Sequence, residues 1–122
     1  MLLNLSNHPF SEWQKSQEMA AIDQYQVVQD MPFPHIKPEA SEKEILKLAM
    51  DYHKQILSLN PAAVHIQGEH TFTYTLVSLL QQKGIRCLAS TTARNVITND
   101  QGDVMRSFRF VQFRKYPIIN TL

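Results

Sequence analysis

Apolar positions along the chain fall into short solid blocks separated by stretches in which they recur every third or fourth residue. The first block, Leu2 to Leu5, is too short for a helix and stops at the polar group "SNHP", so it reads as a strand. "SEWQ" at Ser11–Gln14 has capping-box spacing, in which serine and glutamine side chains satisfy free helix-start amides. It predicts a helix over about Ser11 to Ile22. A second strand, around Gln26 to Met31, is closed by Pro32 and Pro34, which donate no ladder hydrogen bond. Ser41 and Glu44 form another capping box, followed by Ile45, Leu48, Ala49, Tyr52 and Ile56 at helical spacing. Lys43, Lys47, Asp51 and Lys54 take the opposite, solvated face, and Asn60-Pro61 ends the helix.

"AAVHIQG" is a third strand, apolar on both faces except at His65, as in parallel strands buried on both sides. After Gly68 a helix runs to about Gln82, with Phe72, Leu76, Leu79 and Leu80 inward and Gly84 as its C-terminal stop. "IRCLAS" is a fourth strand. Beyond Thr92 no helical signal remains, and the turn residues "NDQG" between "ARNVIT" and "VMRSFRFVQF" predict a hairpin. Strands alternating with helices predict one α/β domain over residues 1–122, a three-layer Rossmann-like open sheet. The expected parallel order is 2-1-3-4, with a C-terminal antiparallel strand beside the fourth.

Composition narrows this picture. The chain has 122 residues, 43% hydrophobic and 19% charged, enough for one core and too few for two domains. A net charge of +1 argues against a protein that coats duplex nucleic acid. Cys87 is alone, so neither a disulfide framework nor a thiolate metal site is expected. No apolar run approaches the ~20 residues of a membrane span. "MLLNLSNHPF" lacks the basic segment and long apolar core of a signal peptide. A cytoplasmic location without membrane partners is the expectation.

The topology also makes a prediction about chemistry. Parallel strands deliver their C-terminal ends to one edge, and ligands bind there where the winding reverses, here between strands one and three. That edge would gather Ser6, Asn7 and His8 after strand one, and Gly68, Glu69, His70 and Thr71 after strand three. Ser90, Thr91, Thr92 and Arg94 follow strand four. Helix-start amides favour an anion at such an edge, and Gly68, lacking a Cβ, would let the backbone approach a ligand. Each residue has an ordinary account too. Ser6, Asn7 and Pro9 suit a strand-to-helix turn, Thr71 suits a helix cap, and His65 suits a hydrogen-bonded core position. Glu69 would repel a phosphate. His35 and His53 receive no role. Phe108, Phe110 and Phe113 fit core or a dimer surface, although the interleaved Arg106 and Arg109 keep a nucleic-acid platform open. No G-x-G-x-x-G or P-loop pattern is present, and His65 and His70 have no supporting cluster, so neither a cofactor nor a metal is expected.

"LLNLSNHP", "VHIQGEHTFTYTLVSLLQQKGIRCLASTTAR" and "FRFVQFRKY" resemble small CRISPR-associated proteins of the CARF (CRISPR-associated Rossmann fold) type, some of which are ring nucleases. The resemblance implies a homodimer that binds a cyclic oligoadenylate, and metal-free attack of a ribose 2′-hydroxyl on the adjacent phosphodiester. It places a hydroxyl residue after strand one, matched by Ser6, and a basic residue at a later strand end, where Arg94 stands in place of the commoner lysine. The catalytic set is then Ser6, His8 and Arg94, with His70 the alternative proton carrier. Ligand contacts would come from Asn7, Gly68, Glu69, His70, Thr71, Ser90, Thr91 and Thr92. Three other readings stand beside it: a cyclic-nucleotide sensor that does not cut, an enzyme on a small phosphorylated metabolite, and an interaction protein using the Phe-rich hairpin.

Overall fold

A computed structural model describes residues 1–120 of the chain. Strands β1 (Leu2–Ser6), β2 (Val28–Asp30), β3 (Ala63–Gln67), β4 (Arg86–Thr98) and β5 (Val104–Lys115) form one sheet in the order β2-β1-β3-β4-β5. The first four are parallel neighbours, and β5 runs antiparallel to β4. Helices α1 (Lys15–Tyr25), α2 (Glu42–Leu59) and α3 (His70–Gln82) connect them. This is the α/β architecture and strand order that the sequence predicts.

The alternation of side chains along a strand decides what each face carries. Leu3, Leu5, Val64, Ile66 and Cys87 pack with Ile45, Ile56, Phe72 and Leu76 of α2 and α3. The opposite face carries Leu2, Ala63 and Leu88, packed with Trp13, Ala21 and Tyr25. On that face the next positions along β1 and β3 are polar: Asn4 and His65, 1% and 2% exposed. The two faces are covered unequally. Within α1, "KSQEMAAIDQY", only Ala21 and Tyr25 are buried, so the α1 side is covered thinly and leaves a crevice.

Several boundaries differ from the sequence reading. The Ser11–Gln14 capping box does not form. Phe10–Glu12 make a short 3-10 turn, and Gln14 caps α1 by its backbone position alone. Its side chain instead donates to Phe108 O at 2.6 Å and accepts from Phe110 N at 3.0 Å. A long-range pairing with β5 has outcompeted the local one. The serine half of the second box forms: Ser41 Oγ accepts from Glu44 N at 3.2 Å, and its hydroxyl donates to Glu44 Oε1 at 3.3 Å. β2 is three residues rather than six. The strand expected to end near Ser90 continues unbroken to Thr98, because β5 pairs with it as far as Thr98 and Val104. Asn99 closes the hairpin, accepting from Gln101 N and Asp103 N.

Candidate functional site

The ends of β1 and β3 and the middle of β4 border an open crevice of about 490 Å³ on the α1 side. Its lining includes Ser6, Asn7 and His8 from the turn after β1, Gly68 after β3, and Ser90 and Thr92 of β4. Six of the eleven residues expected at one site therefore share one cavity. Five do not line it. His70 lines a different cavity, on the α3 side of Gly68. Arg94 lies two residues beyond Thr92 on the same face of β4, opposite Phe108, and is exposed. Thr91 points to the other face and donates to Gln112 O at 3.2 Å.

Glu69 and Thr71 are absorbed by α3 itself. Glu69, not Thr71, is the helix cap, accepting from the amides of Thr71 and Phe72 and from the Thr71 hydroxyl. The Thr71 hydroxyl, with those amides, holds the Glu69 carboxyl below its ordinary range. The start of α3 already carries its own anion. By contrast, no side chain caps α1, whose start is flanked by the crevice residues Gln14 and Gln17. Gly68 also has a structural reason. A Cβ there would lie 2.3 Å from the Phe33 ring, which packs edge-on against Phe72.

The crevice floor is a hydrogen-bonded network joining the three strand ends. Asn4 Nδ2 donates to His8 O and to Asp30 Oδ1, both at 2.9 Å. Its Oδ1 accepts from Ser6 Oγ at 2.8 Å and faces His65 Nδ1 at 2.9 Å. Gln67 spans to β4, with Oε1 accepting from Ser90 N and Oγ and Nε2 donating to Ser90 O. The same Oε1 faces His65 Nε2 at 3.0 Å. Backbone partners thus fix both amide orientations, and both ring nitrogens of His65 meet acceptors. A neutral imidazole has one N–H to give. Protonation would complete both contacts, but burial opposes the charge and pushes His65 down to about 4, against the smaller opposing effect of Gln67. Trp13 and Phe113 wall the ring edge-on.

His8 stands at the lip, strongly exposed, with Nδ1 3.8 Å from Glu12 Oε2. At that separation the two side chains are neighbours and are not hydrogen-bonded. Ser6 is less free. Its hydroxyl lies between Asn4 Oδ1 and His8 O, at 2.8 and 3.1 Å, and has one proton for the two. Residues 1–114 match a family model described as the Uncharacterized protein MJ1673 family. The chain belongs to that family. Comparison with curated proteins and with solved structures found no match for this member.

Sequence reasoning missed Asn4, Glu12, Gln14, Gln17, Gln67 and Asp30. Two carried a signal: Asn4 interrupts an apolar strand on the face shared with Ser6, and Gln67 does so in β3. Glu12 and Gln14 carried none, because their role depends on where the turn before α1 brings them. Among the described residues, no group of three or more His, Cys, Asp or Glu is placed to hold a metal ion. None of the helices described is long and apolar enough to cross a membrane.

Proposed function

We propose that this protein binds a cyclic oligoadenylate through its phosphates in the crevice and opens it as a metal-independent ring nuclease. One observation carries the reading: a single crevice at the strand ends combines Ser6, the His8–Glu12 pair, Ser90 and Thr92 with an uncapped helix start. In the proposed reaction a ribose 2′-oxygen attacks the adjacent phosphorus and the P–O5′ bond breaks. The products are a 2′,3′-cyclic phosphate and a 5′-hydroxyl. His8 takes the 2′-hydroxyl proton and returns one to the departing oxygen, with Glu12 beside it. Ser6, Asn7 and Thr92 position the ribose-phosphate, and alignment for in-line attack lowers the barrier by several kcal/mol. Arg94, on the same strand face but outside the crevice, draws the anionic ring towards it. A homodimer matches a two-fold ring of nucleotides.

A second reading, a module that holds the ring without cutting it, is favoured by one feature. Among the described residues, no lysine or arginine lines the crevice. Labelled cyclic oligoadenylate incubated with protein and a chelator separates the two. Linear products ending in a cyclic phosphate, formed at least ~100-fold more slowly by His8→Ala, are expected. Intact ligand recovered from a tight complex moves the assignment to the binding module. Thermal stabilisation by sugar phosphates and by no nucleotide moves it to a small phosphorylated metabolite.

A further inference from the structure

The hydrogen bonds of the crevice floor do not all close while His65 is neutral. Asn4 Nδ2 is committed to His8 O and Gln67 Nε2 to Ser90 O, so both amide oxygens face the His65 ring. In either neutral tautomer one ring nitrogen points a lone pair at an oxygen 2.9 or 3.0 Å away. The Gln67 side is the more crowded. Its Oε1 has two lone pairs, and Ser90 N at 3.0 Å and Ser90 Oγ at 2.6 Å already donate to it. An imidazolium adds a third donor. Of the three, the Ser90 hydroxyl is the one that can rotate into the crevice, which Ser90 lines.

The immediate surroundings of the ring are uncharged: Asn4 on β1, Gln67 on β3, Leu88 on β4, and Trp13 and Phe113 against its edges. Charged or titratable groups on the elements around it are Asp30, joined through Asn4 Nδ2, and His8 and Glu12 at the lip. Lys115 on β5 stands opposite Leu88, and Tyr25 of α1 packs in the cluster with Trp13 and Leu88. Among the described residues no lysine or arginine lines the crevice, so an anion entering it meets no fixed cation there. We propose that the crevice takes up its anion together with one proton, which His65 carries. The positive charge is then created only when the anion is present, both ring nitrogens donate, and the Ser90 hydroxyl turns to the ligand. His65, 2% exposed, does not touch the anion; it acts through charge across a floor of low dielectric and through Ser90. The proposal rests on the anion-binding reading of the crevice and adds its regulation by protons. Burial holds the imidazole down to about 4. Between that value and the higher one set by a bound anion, affinity rises as pH falls; above the window it is flat.

Inorganic sulfate is the probe, because it is tetrahedral like phosphate, keeps its double charge between pH 5 and pH 7, and is not cleaved. His8→Gln is the protein, because His8 is the other imidazole lining the crevice. Nuclear magnetic resonance follows the amides of Asn7 and Thr92, which report the crevice, and the His65 ring nitrogens, which report the proton. Sulfate should bind about tenfold more tightly at pH 5 than at pH 7, the gain that linkage gives when the anion lifts the imidazole to about 6. The His65 titration should move up with saturating sulfate. His8→Gln combined with His65→Gln should lose the gain. Glu12 is present in both proteins, so the difference between them belongs to His65. Should the double variant fail to fold, the His65 ring signals of the single variant still decide. If sulfate moves the crevice amides at both pH values while the His65 titration stays in place, the proton coupling is overturned and the anion reading stands. A gain that persists without His65 overturns the coupling as well. If sulfate moves no crevice amide at either pH, the anion reading falls and the coupling with it.

Discussion

Asn4 shapes one half of the crevice floor, since its four contacts tie the turn after β1 to β2 and β3. Replacing it with alanine leaves the His8 carbonyl its Trp13 Nε1 donor and Asp30 its Phe10 N donor, but it takes away the partner of the buried His65 Nδ1 and opens a small void. We expect Asn4→Ala to destabilise the fold by about 1–3 kcal/mol in urea unfolding, the cost of one unpartnered buried group plus lost packing. His65 makes the fold sensitive to acid. Unfolded, its pKa is near 6.5; folded, it is held down to about 4. Between those values the unfolded chain binds more protons, so His65 costs stability as pH falls through this window and costs nothing above it. His65→Gln should therefore lose less stability than wild type between pH 7 and pH 4.5, by roughly 2 kcal/mol. Equal losses would mean that His65 titrates normally. At this scale the sequence was half legible. A lone histidine in an apolar strand signalled a satisfied core group, but its two carbonyl partners could be named only once β1, β3 and β4 were in register.

The elements themselves were readable because each long one is amphipathic and locally punctuated. α2 has both its serine cap and its Asn60 stop, the latter in the left-handed region at φ 50°. The misses share a cause: a tertiary partner displaced a local one. Gln14 left its capping box for the β5 backbone, and β4 ran past its expected end because β5 accompanied it. Gly68 was read as room for a ligand when its Cα side is filled by Phe33. That packing gives a test with an internal control. Gly68→Ala should cost about 1–3 kcal/mol, since the added methyl meets a ring wedged against Phe72. In a Phe33→Ala background the same change should cost less than about 1 kcal/mol, and the double-mutant cycle measures the coupling. Additive effects would show that Gly68 is required for a reason other than Phe33.

The whole molecule carries one feature that its own fold does not complete. β3 pairs with β4 only as far as His65 and Leu88, while β4 and β5 continue together to Thr98 and Val104. From Ala89 outward the ladder has two strands, and a two-stranded ribbon is marginal alone in water. This arm exposes Val96, Ile97, Val104, Met105, Phe108 and Val111, each by more than half, and β5 presents an outer edge with no neighbouring strand among the described residues. Long apolar edges of this kind are normally covered. The homodimer proposed above would use this arm. Arg94, Arg106 and Arg109 lie along the arm and Asp100 and Asp103 at its tip, so two arms laid antiparallel about a two-fold axis set each acidic tip against the other's arginines. Such a pairing would also bring two crevices and two Arg94 side chains into one assembly, as a two-fold nucleotide ring requires. Sedimentation at tens of micromolar should give twice the 14.1 kDa chain mass. Val104→Glu with Met105→Glu, both exposed and outside the crevice lining, should return a folded monomer of unchanged thermal transition at low protein concentration. That monomer should lose affinity for a cyclic oligoadenylate while keeping its affinity for ribose 5-phosphate, because the ring needs both crevices and the single phosphate needs one. A wild-type chain that sediments as a monomer, or a double variant that still dimerises, would place the arm's partner elsewhere.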